Sequence, residues 1–326
     1  MYSLVKYLPA GLAHDLAPVG LRIYSDLCGV QKTPEWQSFT WRGLHFANRL
    51  GIAGGVDKDA ENLDQWQKLG CGFVEIGTVT PKPQRPNPGR ILARDWEHSN
   101  LWNKMGFPSA GAKEVATNLL HSEHSLPIFV NIGKNRNISN ELATANYLES
   151  VEVLKSSADA FIINVSSPNT KDLRELQNKD ALLQLTSAVV AKAEKIPVIL
   201  KLSPDLSLSQ LQESIEAGMQ GGTSGFVLTN TTTHRPSDCF FPLDGGLAGK
   251  DLAAKSKTFL KETIRILGTS RQNLLLISVG GVLSEKDVQE RLELGADLVE
   301  VYSALVFQGP GFFQKVATTF QKASLQ

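Results

Sequence analysis

Cysteine is scarce in this chain: three among 326 residues, at Cys28, Cys71 and Cys239. They are far apart, odd in number and form no CxxC pair. Neither a disulfide framework nor a zinc or iron–sulfur site is suggested, so no metal is expected. Such sparse use fits a reducing compartment. A charge excess is missing too, because 33 Lys and Arg balance 33 Asp and Glu. A non-specific nucleic-acid binder normally carries a basic excess, so that class is set aside. No apolar run approaches the roughly 18 residues that a membrane span needs. The amino terminus lacks the basic, apolar and small-residue succession of a signal peptide. The expectation is a protein that is soluble or peripheral to a membrane.

What is present is alternation. Apolar, β-branched runs at 48–54, 72–79, 127–133, 160–166, 197–203, 225–230, 274–280 and 298–303 read as strands. Helix-like segments near 59–70, 109–121, 140–157, 180–194, 207–219, 250–267, 284–294 and 310–323 separate them. Eight strand–helix units in strict order predict an α/β fold, a closed (β/α)8 TIM barrel. An open doubly wound sheet is the alternative, disfavoured by units of similar size. Residues 1–35 have a helical pattern and stand outside the repeat as a small N-terminal extension to a barrel domain over 36–326. Phe39 to Phe46 reads as a hairpin turning at Arg42-Gly43, placed at the barrel bottom. Long loops at 81–102 (with Pro81, Pro83, Pro86 and Pro88) and 231–248 both follow strands, so both belong over the mouth.

Chemistry collects past the carboxyl ends of parallel strands, and polar residues gather there in this sequence. The fourth strand runs into Asn164-Val165-Ser166-Ser167-Pro168-Asn169-Thr170. Because strand side chains alternate, Asn164 shares a face with Ile162 and Lys201 with Ile199. Thr78, Asn131 and Thr229 occupy matching late positions. Simple strand capping remains an alternative for each amide or hydroxyl. For Lys201 it is weaker: an ammonium in a barrel interior requires an anion, or a ligand that becomes anionic. A reduced flavin ring has that property.

The last two strands end in Val279-Gly280-Gly281 and Tyr302-Ser303, and Gly245 to Gly249 precedes a helix. Phosphate sites in such barrels use this region, so a phosphate-bearing cofactor is the preferred reading. Gly54-Gly55-Val56-Asp57-Lys58-Asp59 ends the first strand. Its glycines permit close approach of a planar ring, and Lys58 brings positive charge. Helix capping by Asp57 or Asp59 is the competing reading. Asn103-Lys104-Met105-Gly106-Phe107 reads as an amide-rich wall.

In the order and spacing of these motifs, together with Glu75 to Pro81, Asn131 to Asn135 and Lys201 to Asp205, the chain resembles the dihydroorotate dehydrogenase family, specifically its quinone-dependent class 2. The resemblance covers nearly the whole chain. It implies an FMN-containing barrel that oxidises (S)-dihydroorotate to orotate in pyrimidine (UMP) synthesis, with ubiquinone or menaquinone as final oxidant. At matching positions, Gly54, Gly55, Val56, Asp57, Lys58, Thr78, Asn131, Asn164, Lys201, Thr229, Gly249, Gly281, Tyr302 and Ser303 are expected to hold FMN. Lys58, Asn103, Lys104, Met105, Gly106, Phe107, Asn164, Asn169, Asn230 and Thr231 are expected around the substrate. Ser167 is expected to be the general base that removes the C5 proton while the C6 hydride leaves to flavin; class 1 enzymes place a cysteine there. Thr170, with Phe107 screening, is expected to relay that proton.

Leu12, Leu16, Val19, Ile23 and Leu27 form one apolar stripe at helical spacing. Core packing is the ordinary reading of such a stripe. The resemblance instead implies a helical domain over 1–35 that touches the cytoplasmic side of the cell (inner) membrane and forms a quinone tunnel, lined by His14 and Arg90. The segment is only weakly basic, so apolar area would carry that contact. Lys104 stands where the family usually has Arg, Ile91-Leu92-Ala93-Arg94 replaces a Phe-Arg-Leu stretch, and Gly54 stands where Ala is common. The open alternatives are a class 1 enzyme using fumarate or NAD, and a phosphate-binding aldolase or isomerase barrel without redox chemistry.

Overall fold

The structure, a computed structural model, describes residues 6–323. The first five residues of the expected 1–35 extension lie outside the described residues. Helix α1 (Ala10–Cys28) leads to a hairpin of β1 (Phe39–Trp41) and β2 (Leu44–Phe46). Then come β3 (Leu50–Asp57), α2 (Leu63–Lys68), β4 (Phe73–Val79), β5 (Leu92–Asp95) and β6 (Asn100–Asn103). The alternation continues through α3 (Ala112–His121), β7 (Ile128–Ile132), α4 (Ala143–Leu154), β8 (Ala160–Asn164), α5 (Lys179–Ala193), β9 (Val198–Leu202), α6 (Leu208–Gln220) and β10 (Gly225–Leu228). The chain finishes with β11 (Gly246–Gly249), α7 (Lys250–Leu267), β12 (Leu275–Val279), α8 (Glu285–Glu293), β13 (Leu298–Val301), α9 (Ser303–Phe307) and α10 (Phe312–Ala323).

The eight expected strands close in the order β3-β4-β7-β8-β9-β10-β12-β13, all neighbours parallel. This is a (β/α)8 TIM barrel. Its strands are buried on both faces, as parallel strands under a helical shell must be, and alternation splits their side chains into two cores. Ile52, Val74, Ile76, Val130, Ile163 and Leu200 pack outward against the helices. Phe73, Phe129, Ile162, Ile199, Val227, Ile277 and Leu298 fill the barrel. The hairpin turns at Arg42 and Gly43, whose φ values of 49° and 84° suit a tight two-residue hairpin turn. It seats Phe46 in the barrel end, with ring centroids 6.0 Å from both Phe73 and Phe129. The bottom is thus plugged, and the other end carries the site.

Two expectations need correction. The long loops at 81–102 and 231–248 are not structureless: β5, β6 and β11 form a three-stranded antiparallel sheet across the mouth. Asn103 pairs with Leu92 on one side and Gly246 on the other. Trp102 Nε1 and Lys104 Nζ, each at 2.6 Å, bind the carbonyl and the carboxylate of Asp244. Strands of four residues carry too little alternation to be read locally, and their partners are distant in sequence. The extension also stops being helical at Cys28. Beyond it, Val30 N bonds Lys68 O at 2.6 Å, and Pro34 lies against Gly70. On α1, Leu21 and Tyr24 pack against the core, while Leu12, Leu16, Val19, Ile23 and Leu27 are exposed. The stripe is therefore not core packing. Among the described residues no helix is long and apolar enough to cross a membrane.

Candidate active site

A cleft with about 1040 Å³ of empty space, open solvent at its mouth included, lies over the carboxyl ends of the barrel strands. Gly54 and Gly55 line it from β3 and Lys58 from just after it, Thr78 from β4 and Asn131 from β7. Asn164 ends β8, with Ser167 and Asn169 in the turn beyond it, and Lys201 comes from β9. Thr229, Asn230 and Thr231 follow β10, Gly281 follows β12, and Tyr302 and Ser303 follow β13. Asn103, at the end of β6, and Met105, Gly106 and Phe107 beyond it come in from the far side.

The remaining expected residues lie elsewhere. Asp57 is buried and faces α2, its carboxylate accepting from Glu61 N, Asn62 N and Trp66 Nε1 at 3.0, 3.0 and 3.2 Å. It therefore serves the helix start, the competing reading of that motif, rather than the cleft. Asp59 holds Ala110 N at 2.8 Å. Val56 packs against the outer core, and Lys104 points away to Asp244. Gly249 backs the cleft from behind, where a Cβ would meet Ser99 O at 2.2 Å. Arg90 is exposed and does not line the cleft. His14 is outside the lining but touches it, with Nε2 3.2 Å from Lys58 Nζ. Burial, then the nearby Lys58 charge, lowers His14 to about 4, so its ring is neutral at physiological pH. Burial likewise lowers Lys58.

The turn after β8 is held as a unit. Asn164 Nδ2 donates to Thr78 Oγ1 at 2.9 Å, and its Oδ1 accepts from Ser166 Oγ at 3.0 Å and Asn230 Nδ2 at 3.3 Å. The first serine is thus a bracket between amides. The second, Ser167, opens on the cleft, and among the described residues it accepts only from Asn169 N, at 3.2 Å. Asn169 Nδ2 donates to Asn103 Oδ1 at 2.7 Å, so the two walls meet. Arg174 clamps the turn from behind, binding Ser166 O at 2.9 Å, Asp205 Oδ2 at 2.9 Å and Thr231 O at 3.0 Å. Thr170 Oγ1 is buried with no partner among the described residues and makes no direct bond to Ser167. Phe107 takes a φ of 56°, a strained value for an aromatic residue. Its ring lies over Gly133, where a Cβ would stand 2.9 Å from Cε2.

The floor holds two acids that the motif reading left without a role. Lys201 Nζ donates to Glu75 Oε1 at 2.6 Å, and Asn131 Nδ2 shares that oxygen at 2.6 Å. Glu300 Oε2 is 4.0 Å from the same ammonium. The anion that Lys201 requires is therefore supplied by the protein itself. Parity already contained this: Glu75 alternates with Phe73, and Glu300 lies between Leu298 and Tyr302 on the inward face. A Cβ on Gly54 would meet Glu75 Oε1 at 2.1 Å, so the glycine leaves room for that carboxylate. At the other rim, Gly281 has φ 71° and leaves no space before Ala253 Cα, 2.5 Å from a built Cβ. Below it Arg291 is fully buried, donating to Ser278 Oγ at 2.8 Å, Ser256 Oγ at 2.9 Å and Gly280 O at 2.5 Å.

A parallel eight-fold barrel whose strand ends open on a cleft of amides, hydroxyls and lysines defines a (β/α)8-barrel enzyme. The chain belongs to the dihydroorotate dehydrogenase family, whose sequence model matches residues 38–323. It is 35% identical to the dihydroorotate dehydrogenase (quinone) of Halorhodospira halophila, over 97% of this chain and 96% of that protein. With the protein of the same name from Thermus thermophilus it shares 42% identity, over 83% of this chain and 78% of the relative. Among solved structures it is similar to DHODH from Eimeria tenella in complex with ferulenol. That match has a TM-score of 0.88 and 31% identity and covers 98% of this chain and 93% of the other.

Proposed function

We propose that this protein oxidises (S)-dihydroorotate to orotate in pyrimidine synthesis, with FMN as its cofactor and a membrane quinone, ubiquinone or menaquinone, as final oxidant. One observation carries the chemistry beyond family membership: Ser167 opens on the same cleft as Lys58, Lys201 and the carboxamides of Asn103, Asn164, Asn169 and Asn230. The residues present fit FMN. Asn131 Oδ1 is buried without a partner among the described residues, and Lys201 has donors beyond the one given to Glu75. The Gly281 turn leaves bare backbone beside Ser303, above the buried Arg291 charge, a setting that suits phosphate. Gly54, Gly55, Thr78, Asn131, Asn164, Lys201, Thr229, Gly281, Tyr302 and Ser303 would hold the cofactor. When bound, FMN supplies the hydride acceptor.

The protein's own groups do the rest. Ser167 takes the C5 proton, and as a weak base it needs an outlet. The unpartnered Thr170 hydroxyl offers one through a bridging water, with Phe107 screening the path. Lys58 holds the substrate carboxylate, and the amides match a ring of alternating carbonyl and N–H edges. A colourless, flavin-free preparation would refute the redox reading. A steady-state assay comparing ubiquinone, menaquinone, fumarate and NAD tests the oxidant: the quinones should be reduced fastest, and preference for fumarate or NAD would refute this part.

The exposed stripe of α1 supports a peripheral seat on the cytoplasmic face of the cell membrane, and residues 1–35 would form the quinone-facing domain. His14, in contact with Lys58, supports a path from that domain to the cleft. Arg90 belongs to this reading by resemblance only. Each buried leucine or isoleucine contributes about 1.5–3 kcal/mol. The pair Leu16→Glu and Ile23→Glu should therefore lower vesicle co-sedimentation by at least about tenfold while dihydroorotate still reduces a soluble dye at the normal rate. Unchanged sedimentation would rule out the stripe as the membrane contact.

A further inference from the structure

The barrel floor contains more acid than it can charge. Glu75 from β4 and Glu300 from β13 are both fully buried, and the cation that faces them is Lys201 from β9. The other titratable groups nearby are neutral: burial pushes the Cys71 thiol and the Tyr302 phenol each up to about 12. Two ionised carboxylates against one ammonium would leave a net negative charge in a low-dielectric interior, a costly state. The hydrogen bonds make the same point independently. Glu75 Oε1 is used twice, by Lys201 and Asn131. Glu75 Oε2 and both oxygens of Glu300 find no donor among the described residues. One added hydrogen between the two acids removes the excess charge and gives Glu75 Oε2 the donor it lacks. Burial, then repulsion by the Glu75 carboxylate, raises Glu300 well above the ordinary glutamate range, so the hydrogen belongs on Glu300.

We propose that Glu300 is a positioning residue for Lys201: it stands in the floor as an uncharged acid, gives its hydrogen to Glu75 Oε2, and leaves Glu75 Oε1 to hold Lys201 and Asn131. Lys201 is then matched by a single negative charge, and its remaining N–H groups point to whatever occupies the cleft above. With Glu300 ionised, Glu75 would lose a donor, and Lys201 would be drawn between two carboxylates, away from the cleft. This deepens the reading of Lys201 as a cofactor-holding residue, but the charge argument does not depend on which ligand binds.

The test uses Glu300→Gln, which keeps size and a donor while abolishing ionisation, beside Glu300→Leu, which removes the donor. An infrared difference spectrum of wild type minus Glu300→Gln at neutral pH should contain the C=O band of a protonated carboxyl group. A raised acid binds its proton in the folded state where the unfolded state has already released it, so wild-type stability falls with pH above the ordinary glutamate range. The folding equilibrium of Glu300→Gln should therefore gain on wild type by about tenfold per pH unit through that window. Retained FMN affinity should stay within about twofold for Glu300→Gln and fall about tenfold for Glu300→Leu, the scale of one lost hydrogen bond. Absence of the band, parallel stability profiles, or equal FMN loss in both variants would overturn the proposal. The first two readouts need no cofactor, so they remain decisive even if the flavin reading itself failed.

Discussion

Ser167→Ala should retain its flavin and lose roughly 10²- to 10⁴-fold in the rate at which dihydroorotate bleaches it, the usual worth of a positioned general base. The substitution is small. Ser167 is buried in the turn after β8, and its Oγ accepts one hydrogen bond, from Asn169 N at 3.2 Å. The turn itself is held by Asn164, Ser166 and Arg174, none of which relies on that hydroxyl. The cleft, and hence flavin content, should survive. The serine must shed the proton it gains, so the wild-type rate should climb as pH rises, and the alanine variant should lose that dependence. Ser167→Cys should restore part of the rate and move the climb to lower pH, because a thiol ionises near 8.5, well below an alcohol. Stopped-flow mixing decides the matter: near-normal flavin reduction in the alanine variant would remove Ser167 from the mechanism.

The second large effect is on stability. Lys201→Met should cost about 3–5 kcal/mol, because deleting one partner of a buried pair leaves its mate uncompensated. Glu75 Oε1 would keep only Asn131, and Glu75 and Glu300 would face each other without a cation. The loss should appear as a lower urea midpoint with an unchanged slope, together with loss of bound flavin. Combining Lys201→Met with Glu75→Gln removes both charges and should recover most of the stability, since an absent pair costs far less than a broken one. It should not recover the flavin, because the donor to the cleft is still missing. A single variant with the wild-type midpoint and full flavin content would contradict this account of the floor.

Much of the framework is legible in the sequence. Parallel strands buried on both faces are rich in Val, Ile, Leu and Phe, so all eight stood out, and alternation placed Asn164 and Lys201 inward beside Ile162 and Ile199. The same alternation applies to Glu75 and Glu300, but nothing local distinguishes an acid paired inside a barrel from one facing solvent. The direction of Asp57 was open for the same reason. Its carboxylate accepts from the backbone N–H groups that open α2. Lys104 left the cleft wall because its neighbour Asn103 faces inward, so alternation turns Lys104 toward Asp244. The three-stranded lid was out of reach, because β11 owes its existence to β6, far earlier in the chain.

By itself, then, the sequence determined the number and order of the barrel units, the polar residue types at the strand ends and the serine at the turn after β8, because each of these is written in local periodicity. The tertiary structure alone decided which charges meet. Closure of β13 onto β3 carries Glu300 to the Lys201–Glu75 pair, and the lid strands bring Asn103 to Asn169. Contacts of that kind depend on ring closure and on pairing between remote segments, which no local pattern records.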